Sequence, residues 1–188
     1  MKVLFTCLTF LFTLNVFSQT IVVVKDADLG ADTVSWTKDN VYHLDGYVIL
    51  ESGGLLNIEA GTVIKGLATP STGDISSALI IARGAKINAR GTADQPIIFT
   101  AEFDDVTDPS DLTKNDRGLW GGVLILGSGI VGVNTGLFNV EGIPSTEGRA
   151  EYGGTNNDDN SGVLKYVSIR HGGSKLEANN EINGLTLA

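Results

Sequence analysis

Two short runs carry the side chains with chemical reach. Asn156-Asn157-Asp158-Asp159-Asn160 gathers hard oxygen donors in one loop, a set that suits Ca²⁺, with Asp158, Asp159 and Asn160 as candidate ligands. The run lacks the alternate-residue spacing of a helix–loop–helix calcium site and the GGxGxD repeat of calcium-binding β-rolls. A solvated corner built from Asx turns is the stronger reading. The second run is Tyr166 to His171, Tyr-Val-Ser-Ile-Arg-His, in which an apolar alternation is interleaved with polar groups. Tyr166, Arg170 and His171, together with Trp120, are the candidate ligand contacts: aromatic faces to hold a sugar ring, and two donors to fix it. Trp120 also suits a packed corner, the reading favoured by Leu119 and the glycines that flank it. His171 has no second histidine nearby, since His43 stands far upstream, so no histidine metal pair is expected. Asp104, Asp105, Asp108, Asp111 and Asp116 form an acidic run that reads as a solvated loop.

The elements that position these residues are short strands separated by glycine. In Gly46–Gly66, the pieces Tyr47–Leu50, Leu55–Ile58 and Thr62–Ile64 are punctuated by Ser-Gly-Gly and Ala-Gly. In Ala78–Ala101 the same three pieces return as Ala78–Ala82, Ala85–Ala89 and Pro96–Thr100, with Gly84 and Gly91 at the corners. A three-strand unit that recurs after a loop is the mark of a solenoid, in which each strand pairs with its counterpart one coil later. The expected fold is all-β, a right-handed parallel β-helix. An antiparallel sandwich has similar short strands, but the Asn-Gly hairpin dipeptides it would use are missing where these strands meet. Alternation puts Val48, Leu50, Leu56, Ile58, Ile87 and Ala89 inside, and Glu51, Asn57, Glu59, Lys86 and Asn88 outside. Further strands are expected near Val123–Leu126, Ile130–Val133 and Val167–Ile169, with polar side-loop insertions near 102–117 and 135–161.

The N-terminus sets the compartment. Lys2, the apolar run Val3–Val16 and the small residues before Gln19 have the layout of a secretory signal peptide over 1–18, so export and a cut before Gln19 are expected. Residues 19–45 are expected to cap the coils that run through 46–188. Cys7 is the only cysteine and lies inside the signal, which leaves the mature chain without disulfides, thiolate nucleophiles or Cys-ligated zinc. A formal net charge of -9 makes nucleic acid and anionic membrane surfaces poor partners, and no anchoring span follows the signal. With 24 glycines and only 4 prolines, glycine here punctuates structure rather than building a linker. Asn183–Ala188 read as the start of another strand, so the 188 residues are expected to be the N-terminal part of a longer helix.

The blocks YVILESGGLLNIEAGTVIKG, ALIIARGAKINARGTADQPIIFTA, RGLWGGVLILG and SGVLKYVSIRHGG together resemble secreted β-helix proteins of Bacteroidota-type bacteria, within the pectin-lyase-like architecture. The resemblance implies export and fold, and no reaction. Asp158-Asp159 ahead of Arg170-His171-Gly172 superficially matches the acidic set of an inverting polygalacturonase. The Asp pair falls in an Asn- and Gly-rich insertion, however, and the Asn-Thr-Asp expected upstream is absent, so no catalytic residue is assigned. The expected function is a secreted or cell-surface scaffold that binds extracellular polysaccharide or a partner surface. The alternative is a carbohydrate-active enzyme, lyase or hydrolase, whose active coils lie beyond Ala188. A cluster of carboxylates and basic residues on one outer sheet would favour the enzyme.

Overall fold

The structure, a computed structural model, describes residues 19–133, 136–177 and 180–188; the expected signal segment lies outside the described residues. Among them regular structure is almost wholly strand, with two short 3-10 turns at Asp26–Asp28 and Gly148–Ala150. No described helix is long and apolar enough to cross a membrane.

The chain opens with β1 (Thr20–Val24), β2 (Thr33–Trp36) and β3 (Asn40–Leu44). Two regular coils follow: β4 (Tyr47–Leu50), β5 (Leu55–Ile58), β6 (Val63–Gly66), then β7 (Ala78–Ile81), β8 (Lys86–Arg90), β9 (Ile97–Ala101). The next coil begins with β10 (Gly122–Ile125) and leaves the stack for an excursion containing β11 (Phe138–Asn139) and β12 (Glu151–Tyr152). It resumes as β13 (Gly162–Lys165) and β14 (Val167–Ile169); after a second excursion with β15 (Lys175–Glu177) and β16 (Asn180–Glu181), β17 (Leu185–Leu187) returns to the stack. Three sheets result: A, in the order β1-β3-β6-β9-β14; B, β4-β7-β10-β17; and C, β2-β5-β8-β13. Every neighbouring pair in them is parallel. The molecule is a parallel β-helix.

Register explains the interior. Val48, Leu79, Val123 and Leu185 are paired in succession across sheet B, and Ile64, Phe99 and Ile169 across sheet A. Leu56 pairs with Ile87, and Ile58 with Ala89, in sheet C. The residues expected inside are there: Val48, Leu50, Leu56 and Ala89 are wholly buried, Ile87 and Ile58 nearly so. Each buried aliphatic side chain contributes about 1.5–3 kcal/mol relative to exposure, so the stacked bore is the main source of cohesion. Backbone approach is tight at the corners. A Cβ on Gly162, whose φ is +123°, would stand 1.9 Å from the carbonyl oxygen of Ile87, so only glycine starts β13.

Three expectations change. Residues 19–45 are not a cap ahead of the coils: β1, β2 and β3 already supply sheets A and C, and Gly30 bridges to Leu50 of sheet B, because these residues carry the same outward–inward alternation. Ile130–Val133 forms no strand, only a bridge at Val131, and Val133 is 95 % exposed. The insertion expected near 135–161 does not merely bulge sideways. It straps back over sheet B, where Val140, Ile143 and Ala150 pack with Ile182 on Ile49, Ala78, Ile80, Ala82, Leu124 and Leu126. Strands β4, β7 and β10 of sheet B are therefore covered on both faces, which is why YVIL, ALII and VLIL are continuous apolar runs rather than alternating ones. The strap is clasped by Arg149, whose guanidinium pairs with Asp26 at 2.9 Å, Glu51 at 3.0 Å and Glu147 at 2.7 Å.

Candidate functional site

On the outer face of sheet A the parallel register sorts the side chains into two rows. One row is Ile21, Val41, Val63, Ile98 and Ser168; the other is Val23, His43, Lys65 and Thr100, continued by Arg170, whose N–H donates to the Phe99 carbonyl. Neighbouring members of a row are one strand spacing apart, ~4.8 Å. The first row is apolar as far as Ser168 and the second is polar from His43 onward, so over the middle rungs the face is two-sided along the helix axis. Ile21 and Val23 are exposed, His43, Lys65, Ile98 and Arg170 are half-buried, and Val63 and Thr100 are covered.

The polar row is organised by the loop that follows β9. The Thr100 hydroxyl donates to the buried Asp104 carboxylate, and Arg170 Nη1 stands 3.7 Å from the same oxygen. Arg170 Nε donates to the Ser168 hydroxyl at 3.1 Å. Lys65 Nζ donates to the carbonyl of Asp104 at 2.7 Å and to that of Glu102 at 3.4 Å. Burial, and then the Lys65 charge, hold the His43 imidazole below its ordinary pKa, so it is neutral at neutral pH and can both donate and accept. Two cations, one carboxylate and a neutral imidazole thus share one sheet face.

A family model described as a pectate-lyase like β-helix domain matches residues 29–188. The chain belongs to that family. No curated protein and no solved structure matches it. The pectate-lyase like domain here carries the architecture; its chemistry has to be read from the residues in place.

Trp120 is not a sugar platform. Its indole is wholly buried in the bore, and Nε1 donates to the Arg170 carbonyl at 2.8 Å. The cavity for it exists because Gly66 lacks a side chain: a Cβ there would lie 2.7 Å from the indole. Trp120 therefore supports Arg170 from inside. Tyr166 is 54 % exposed, with left-handed backbone at φ 49°, and Lys165 Nζ lies 5.6 Å above its ring. His171, the only other non-glycine residue described with positive φ, turns Nδ1 onto the Asp116 carbonyl, so its ring secures the acidic loop instead of facing a ligand. Tyr166 and His171 are the two corners of β14, where a helix of this section must bend sharply.

The loop around Asp158–Asn160 accepts hydrogen bonds from its own turns and from the segment after β10. Asp159 accepts from the Ser128 N–H and the Ser161 hydroxyl, both at 3.1 Å; Asn157 accepts from Ile130, Asn156 from Asp158, and Asn160 from Gly162. Asp158 is exposed. Among the described residues no group of three or more His, Cys, Asp or Glu side chains could hold a metal ion. Asn156, Asn157, Asn160 and one oxygen of Asp159 accept backbone N–H groups in this way, the pattern of a corner built from Asx turns. Of the candidates, only Arg170 falls within the polar row. His43, Lys65, Thr100 and Asp104 escaped the sequence reading, although the HL, KG and TA endings of β3, β6 and β9 stand at equivalent places in the repeat.

Proposed function

We propose that this chain is an exported β-helical scaffold that holds an extracellular polysaccharide along the outer face of sheet A. The observation that carries the reading is the pair of in-register rows, one apolar and one polar, running along the axis. Their strand spacing of ~4.8 Å is close to the length of one pyranose unit. A glycan laid on this face rests its C–H surface on Ile21, Val41 and Ile98 and offers its hydroxyls to His43, Lys65 and Arg170. Export is supported by the signal-like sequence of residues 1–18. The test is affinity electrophoresis against a panel of neutral and acidic polysaccharides. Arg170→Gln is expected to weaken binding at least about tenfold, the worth of one charge-assisted hydrogen bond, and the neutral His43→Ala by about threefold to tenfold, with little change in melting temperature. Full affinity in both variants overturns the reading.

A second reading, carbohydrate-active enzyme, is favoured by His43, Lys65, Asp104 and Arg170 sharing one face, since acid–base cleavage of a glycan needs a base and an acid on opposite sides of one bond. Against it, the Lys65 ammonium is bound to two carbonyls and the Asp104 carboxylate to Thr100. New reducing ends or unsaturated products from any bound polysaccharide, lost in Arg170→Gln, would establish the enzyme. Their absence across every bound member of the panel leaves the binder.

A further inference from the structure

The N-terminal edge of sheet A differs from the first edges of the other two sheets. β1 heads the first coil, and each coil advances by one strand spacing, so among the described residues no strand stands beyond it. Thr20 to Val24 are five β-branched residues in a row, without charge or proline. Ile21 is 61 % exposed and Val23 51 % exposed. The row that carries His43, Lys65 and Thr100 turns to valine at this one rung. Sheet B closes its first edge instead: Gly30 bridges to Leu50, and the Asp26 carboxylate accepts from the Ile49 N–H at 3.1 Å. Sheet C presents the polar Thr33 and Ser35 there.

The direction of the backbone groups shows what the edge offers. The Thr20 N–H donates to the Asp39 carbonyl, and the Val24 carbonyl accepts from the Asp45 N–H, so Thr20, Val22 and Val24 face β3. Alternation sends the N–H and C=O of Ile21 and Val23 to the opposite, outer edge. Natural edge strands avoid pairing through charge, proline or a bulge, and β1 uses none of them. The strand is also complementary to itself. Set antiparallel about a two-fold axis at Val22, Ile21 of one copy falls opposite Val23 of the other, and each such pair exchanges two hydrogen bonds. No charged side chain lies within the strand, so the pairing opposes no like charges. In a chain of net charge -9, which repels its own copies elsewhere, that makes β1 the place where two can meet.

We infer that β1 is a self-association strand, through which two copies of this chain join their A sheets edge to edge about a two-fold axis. Two sheets of five strands become one of ten, with their outer faces on the same side. Ile21 and Val23 of both copies form one apolar seam at its centre. The pairing rests on the edge alone; the longer polysaccharide-binding face it creates rests on the reading given above. An edge of this length is a small interface, so the association is reversible and depends on concentration.

The test is sedimentation equilibrium of the chain with residues 1–18 removed, which keeps every described strand, and without polysaccharide. Between about 1 and about 500 µM it should show monomer–dimer exchange, strengthened by added salt as the repulsion between copies is screened. Val23→Lys should weaken association at least about tenfold at unchanged melting temperature of the dilute protein. Ser35→Lys on β2 and Arg170→Gln should leave it unchanged, the second separating association from polysaccharide binding. Register is read by disulfide capture, since Cys7 is the only cysteine and is absent from this chain. Val22→Cys should give a covalent dimer on mild oxidation, because its two copies would face each other at ~4.5 Å between Cα atoms, within disulfide reach. Ile21→Cys should not, because its two copies would lie out of register. A monomer at every concentration, association untouched by Val23→Lys or dissolved by salt, or capture through Ile21→Cys but not Val22→Cys overturns the inference.

Discussion

Replacing Trp120 by alanine removes the largest fully buried side chain of the bore. An indole buries about 150–250 Å², worth about 4–6 kcal/mol at 25 cal/mol per Å². Partial collapse of the walls around Gly66 brings this to the usual about 3–5 kcal/mol for such truncations. The lost bond from Nε1 to the Arg170 carbonyl adds about 1 kcal/mol. The whole stability of a domain is only about 5–15 kcal/mol, so this is a severe loss. Trp120→Phe keeps most of the area and loses mainly the bond, for about 1–2 kcal/mol. Urea unfolding followed by circular dichroism reads the bulk transition. Trp36, stacked on Tyr42 in the first rung and the only other tryptophan, reports the N-terminal end by fluorescence. Solenoids lose structure locally, so the bulk midpoint should fall well before the Trp36 signal moves. A Trp120→Ala protein as stable as the parent, but unable to bind polysaccharide, would put the indole at the surface and refute the reasoning.

Two further outcomes are expected. Ile58→Asp places a carboxylate in the bore, where Ile58 is 4 % exposed, and should cost about 3–5 kcal/mol; the adjacent Asn57→Asp keeps the acceptor for Asn88 Nδ2 and should stay within about 0.5 kcal/mol, both read by urea midpoint. Equal effects would mean the facing is misassigned. The hydrogen bond from Arg149 holds the Glu147 carboxyl below its ordinary pKa, so the stability it contributes is present at neutral pH and is lost as pH falls through and below the usual carboxylate range. The pair is partly exposed and worth at most about 1 kcal/mol. Arg149→Gln should therefore lower the melting temperature at neutral pH, by an amount that shrinks as the pH is taken down through and below the usual carboxylate range. A shift that stays the same across the whole titration would mean that Arg149 acts through packing and not through charge.

The repeat was legible because a β-helix is written locally. Each strand's alternation and each corner's glycine are set within a few residues, so Tyr47–Leu50, Leu55–Ile58 and their counterparts in Ala78–Ala101 could be placed before any contact was known. Charge, the sole cysteine and the apolar run Val3–Val16 are likewise properties of the chain alone. What the chain could not disclose is which outward residues meet across rungs. His43, Lys65, Thr100 and Arg170 are separated in sequence by whole coils and by loops of unequal length, and only the parallel register brings them into one row. Burial of a polar-tipped side chain is also a tertiary decision: Trp120 went inside because Gly66, one coil earlier, left the space and the Arg170 carbonyl, one coil later, took its proton donor. The second apolar face of sheet B is an intermediate case. Its continuous runs were visible, but alternation along one strand cannot say what covers the outer side, and here a strap from a distant excursion does.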